Sequence, residues 1–240
     1  MRNSVGVAVL ALGVAVAVPA FAAAEDLTIV STVSAGKGAP STSTQYLSSG
    51  RIRTSNSETD TLFDAGTGRV AVVNHKKKEY YEFTREEMAA SLQQFEAQMQ
   101  QAGPMMEKMM GGAMGEVTVK KLGTSRKIAG YDCDDYSVAM GENLRYDVCA
   151  APGLVPPTQY YDALKSPFAA MGPMARRFEK IFDEMKKIKG FPIAMNHSVK
   201  VMMVKSELKT EATEIKKGPI PASVFEIPAG YKKKDSPFRK

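Results

Sequence analysis

Residues 59–83 read TDTLFDAGTGRVAVVNHKKKEYYEF. Three short runs carrying β-branched and aromatic residues are separated by two turn clusters, DAGTG and NHKKK. Runs of this length between such clusters predict three antiparallel strands joined by tight turns. Gly66 and Gly68 can supply the positive φ that the first turn needs. The pattern extends upstream. DLTIVSTVS (26–34) predicts a strand, AGKGAPST a loop, and TQYLSSGRIRTSN (44–56) two strands about a Ser-Gly turn. Residues 26–83 therefore read as a meander.

At Thr84 the period changes from that of a strand to that of a helix. TREE places Thr84 as N-cap and Glu87 three residues on, a capping box. Met88, Leu92, Phe95 and Met99 then recur at helical spacing as one apolar stripe, and Gly103–Pro104 stops the helix. The next stretch, GPMMEKMMGGAMGE (103–116), holds five methionines in fourteen residues. Strands resume with EVTVKKLG and SRKIAG. A second helix is expected after Gly172–Pro173, with Met174, Phe178, Ile181, Phe182, Met185 and Ile188 on its apolar face and Gly190 as its stop. FPIAMNHSVKVMMV and ELKTEATEIKKG return to strands, IPASVFEIPAGY follows, and KKKDSPFRK (232–240) reads as a flexible basic tail. Strands enclosing helical insertions, with no strand–helix rhythm, predict an α+β fold. Its expected form is a mainly antiparallel curved β-sheet, an incomplete barrel, with two or three amphipathic helices covering the concave face.

The hairpin YDCDDYSVAMGENLRYDVCAA (131–151) has its own register problem. With Gly141 central in a three-residue loop, Ala139 faces Asn143, Ser137 faces Arg145, Asp135 faces Asp147 and Cys133 faces Cys149. The opposed cysteines then lie close enough for a disulfide, worth roughly 3 kcal/mol over such a loop; free thiols are the alternative. The facing Asp135 and Asp147 weigh against this register.

Residues 1–24 have the marks of a removable signal peptide: Arg2, an apolar run from Val5 to Val18, and small residues at Ala20, Ala22 and Ala24. The expected location is periplasmic or secreted, which suits two cysteines. Loss of Arg2 takes the formal charge from +6 to +5. No basic stripe with interleaved aromatics marks a nucleic-acid partner; an anionic membrane surface is the better candidate for charge attraction. Lys76–Lys78 and Lys232–Lys234 read as a solvated turn and tail.

Signatures of catalysis are absent. SAGKGAPS lacks the spacing of a phosphate loop, and no G-x-S-x-G elbow occurs. His75 and His197 have no second His or Cys at ligand spacing, and each reads as a surface or satisfied residue. Asp134 and Asp135 point to opposite faces of a strand. No cofactor or catalytic residue is assigned. Methionine thioethers can hold Cu(I), but adaptable thioethers also line apolar pockets or fill cores. The expected hydrophobic ligand site comprises Met88, Leu92, Phe95, Met99, Met106, Met109 and Met110, with Phe178, Phe182 and Met185 opposite.

STSTQYLSSGRIR, the 61–83 stretch, IAGYDCDDYSV and PASVFEIPAGY together resemble a family of exported bacterial proteins known as a domain of unknown function. The resemblance covers about residues 26–232, with Gly130, Tyr131, Cys133 and Tyr136 on the family's Gly-Tyr-x-Cys-x-x-Tyr pattern. Cys149 is not part of that pattern. The strand order also resembles the LolA/LolB class of lipoprotein carriers. That resemblance implies a single half-barrel domain over 25–231 with an apolar concavity. The expected function is a non-catalytic carrier or binder of a lipid or lipidated partner. The alternatives are a methionine-cluster Cu(I) binder and a cell-envelope interaction module.

Overall fold

The computed structural model describes residues 25–36, 38–101, 117–140, 144–157, 160, 183–201 and 204–238. The meander forms as six strands: β1 (Leu27–Ala35), β2 (Ser41–Ser48), β3 (Arg51–Asn56), β4 (Thr59–Asp64), β5 (Arg69–Asn74) and β6 (Glu79–Thr84). Helix α1 (Arg85–Gln101) follows at once. Its capping box is present in both directions: the Thr84 amide donates to Glu87 Oε2 at 3.0 Å, and the Glu87 amide to Thr84 Oγ1 at 3.2 Å. Of the two glycines in the β4–β5 turn, Gly68 takes the positive φ, at 66°. A Cβ there would also stand 2.8 Å from the Arg85 guanidinium, which reaches back to the Ala65 carbonyl.

The second half supplies β7 (Val117–Ile128), β8 (Tyr131–Met140), β9 (Leu144–Ala151), β10 (Phe191–Val201) and β11 (Val204–Lys217), and the two-residue β12 (Lys232–Lys233) ends the series. EVTVKKLG and SRKIAG are one strand, β7, broken by an irregularity between Lys121 and Ser125, with Gly123 at φ 75°. All twelve strands join one unclosed, curved sheet in the order β12-β6-β5-β4-β3-β2-β1-β11-β10-β9-β8-β7. Every pairing is antiparallel except β12 with β6. Irregularities at Val30/Ser31 and Pro192/Ala194 add local bend, since an extra residue in one strand increases twist.

The hairpin register differs from the expected one by two residues. Asp135 faces Cys149, Ser137 faces Asp147 and Ala139 faces Arg145. This register removes the Asp135–Asp147 apposition, a like-charge pair that costs stability. Each acid finds a cation instead: Asp135 accepts from Arg126 Nε at 3.1 Å and Asp147 from Arg145 Nε at 3.0 Å. The cysteines become diagonal neighbours and are still bonded, with Cα atoms 5.4 Å apart. They lie in the core with Leu27, Leu47, Leu154 and Phe191.

Gly190 has φ 109°, and the end of another strand also passes close to it. A Cβ on it would meet the Ala151 carbonyl at 2.4 Å. The basic end of the chain also makes contacts with the sheet. Lys232 and Lys233 pair with β6, Lys233 Nζ meets Glu82 at 2.6 Å, Ser236 is buried, and Phe238 packs on Phe83 at 4.5 Å. Upstream, a short 3-10 turn (Ala222–Phe225) leads into Ile227 and Tyr231, which cover Leu62, Ala71 and Val73.

Candidate functional site

A pocket of about 610 Å³ opens between the middle of the sheet and the segment that enters β10. Ile29 of β1 and Ile193 and Met195 of β10 give it apolar walls, and Met185, Ile188 and Phe191 close one side with Tyr160. Ser31, Gln45 and Thr210 add neutral polar groups, and Lys186 is the one charged lining residue among those described. The local geometry follows from the sequence. Gly190 lets the chain pass tightly over Ala151–Pro152, and the irregularity at Pro192/Ala194 redirects the start of β10. Leu154 is buried where the chain leaves β9, and Pro157 and Tyr160 lie against Leu47 and Ile52.

The sequence-predicted site residues fare unequally. Met185 lines the pocket and packs against a buried cluster of Tyr136, Val138, Val148, Ala150 and Ile188. Met88 is half-buried in the first turns of α1. Leu92, Phe95 and Met99 fall within α1, but their side chains lie outside the described residues, as do Met106, Met109, Met110, Phe178 and Phe182 altogether. Among the described residues, no three His, Cys, Asp or Glu side chains are grouped to hold a metal ion. The helix-centred reading missed Ile29, Ser31, Gln45, Ile193, Met195 and Thr210. They lie on β1, β2, β10 and β11, which come together only in the folded sheet, so no local pattern marks them as one site.

A second constellation lies elsewhere, under the C-terminal segment. Asp60 has no solvent exposure. Arg53 binds its Oδ2 and also donates to the Val224 carbonyl. His75 Nε2 lies 3.1 Å from Asp60 Oδ1, off the line of a hydrogen bond, while His75 Nδ1 is 2.9 Å from the Tyr231 hydroxyl. His75 is thus the satisfied residue expected of it, in a network that ties β3–β5 to the last stretch of chain. His197 stacks on Tyr146 with centroids 4.5 Å apart. Burial raises the Tyr146 phenol above its ordinary pKa. On the surface, hydrogen bonds from Lys121 and Ser125 hold Asp134 below the usual aspartate range, and the same contact raises Lys121.

Similar solved structures include PNGF-II at 10% identity and TM-score 0.40, covering 89% of this chain and 32% of that one. The MucA/MucB complex of Pseudomonas aeruginosa aligns at 9% identity and TM-score 0.42, covering 86% and 56%. A LolA superfamily protein from Nitrosomonas europaea aligns at 8% identity and TM-score 0.30, covering 86% and 91%. The chain spans less than two thirds of the first two. No curated protein matches the sequence. The family pattern itself runs almost from β1 to the last short strand, over residues 28–231. With so much of the chain matched, the protein belongs to the DUF4412 family, a domain of unknown function.

Proposed function

We propose that the chain is an exported, non-catalytic binding protein or carrier for a hydrophobic small molecule or lipid. The pocket beside β10 carries this reading. Its volume of about 610 Å³ lies in the range of small-molecule sites, and its walls combine many apolar side chains with a few polar ones. Uptake would be driven by burial of apolar surface, at about 25 cal/mol per Å². Export is supported by the apolar leader in residues 1–24 and by the Cys133–Cys149 bond, which suits an oxidising compartment.

Organic extraction of protein purified from the periplasm, followed by mass spectrometry, tests the reading. A co-purifying amphiphile near one per chain is the expected result. Met195→Glu, which places a carboxylate in the pocket wall, should abolish retention while circular dichroism stays unchanged. Absence of any extracted amphiphile, together with no displacement of a fluorescent fatty-acid probe, would refute it.

A further inference from the structure

Resting on the hydrophobe-binding reading above, we propose that the guest is an amphiphile with an uncharged head rich in hydroxyl or amide groups. A monoacylglycerol has that chemistry; a free carboxylate or phosphate does not. Ser31, Gln45 and Thr210 line the pocket and are each half-buried. Among the described residues their side chains make no hydrogen bond. Three unspent polar groups beside apolar walls are the feature that orients a ligand in such sites. Gln45 pairs across from Ile29, Ser31 follows two residues along β1, and Thr210 pairs with Met195. The polar groups therefore belong to β1, β2 and β11, while the entry to β10 supplies the oily side.

Charge in the pocket argues against an anionic head. Among the described residues no carboxylate lines it, and Lys186 is held 2.6 Å from Asp183 and stays largely in solvent. An anion taken out of water here would meet no unpaired cation among the described residues, which is costly. A hydroxyl both donates and accepts, as do an amide and two alcohols in return.

The test uses the full mature chain and three ligands with one alkyl chain: monolauroylglycerol, dodecanoate and methyl dodecanoate. Calorimetry at about pH 8 keeps the acid ionised. The glyceride should bind about tenfold more tightly than dodecanoate, the worth of one or two net hydrogen bonds. Gln45→Leu should remove about that factor for the glyceride and leave the methyl ester unchanged. Thr210→Val, nearly isosteric, gives a second variant should Gln45→Leu disturb folding. Dodecanoate binding as tightly as the glyceride, or a glyceride indifferent to both substitutions, overturns the head-group assignment and leaves hydrophobe binding standing. Failure of all three ligands overturns both.

Discussion

Asp60 is shut off from water, with Arg53 on one oxygen and the His75 ring beside the other. Removing one partner of a buried ion pair strands the other, at a cost of about 3–5 kcal/mol. Asp60→Ala should lower the unfolding free energy by that amount in urea titration. His75→Ala should cost less, because Arg53 still holds the carboxylate. Asp134 gives a pH prediction of known sign. Its folded pKa is depressed by Lys121 and Ser125, so its contribution to stability is present above the unfolded pKa and fades as pH falls through the folded value. A carbon-detected NMR titration should place its midpoint below that of an ordinary aspartate, and Lys121→Met should raise it. The surface pair was half legible: alternation put Asp134 and Asp135 on opposite faces. The Asp60 network was not, because Arg53, His75 and Tyr231 come from three distant stretches and nothing local marks their convergence.

The hairpin β8–β9 shows how far pattern reaches at the scale of an element. Alternation identified both strands and brought the cysteines together, because a slip of two residues preserves which side chains share a face. It set the register two residues off, and the facing Asp135 and Asp147 weighed against that register without naming the one that forms. Linking residues sixteen apart should stabilise by about 3 kcal/mol. Cys133→Ala with Cys149→Ala should therefore shift the urea midpoint downward. Both sulfurs are buried, so mild reductant without denaturant should leave the bond intact for hours in a free-thiol assay. The capping box of α1 was legible outright, since Thr84 and Glu87 carry the whole signal in four residues. The pocket was not, because its walls come from strands that meet only after β11 has returned to β1.

Across the whole molecule, the antiparallel sheet was written in the spacing of turns, but its order was not. The sheet joins β1 to β11, so the chain's two halves share one surface. Covering of the concave face by apolar helices remains an expectation carried by residues outside those described. The cover that is described lies over β4–β6 and comes from Ile227 and Tyr231, beyond the last long strand. A chain ending at Gly218 would expose Leu62, Ala71 and Val73 and lose the Tyr231–His75 contact. It should melt roughly 10 °C lower, for a loss of about 3 kcal/mol in a chain of this size, and bind a dye that reports exposed apolar surface. One further consequence follows from the two borders left unjoined among the described residues, at β12 and β7. In a closed barrel, strand count and shear fix the bore. Here no integer sets the girth, so the trough can splay or narrow as its borders move apart or together. On the binding reading proposed above, guests of unequal bulk are then expected to fit one lining.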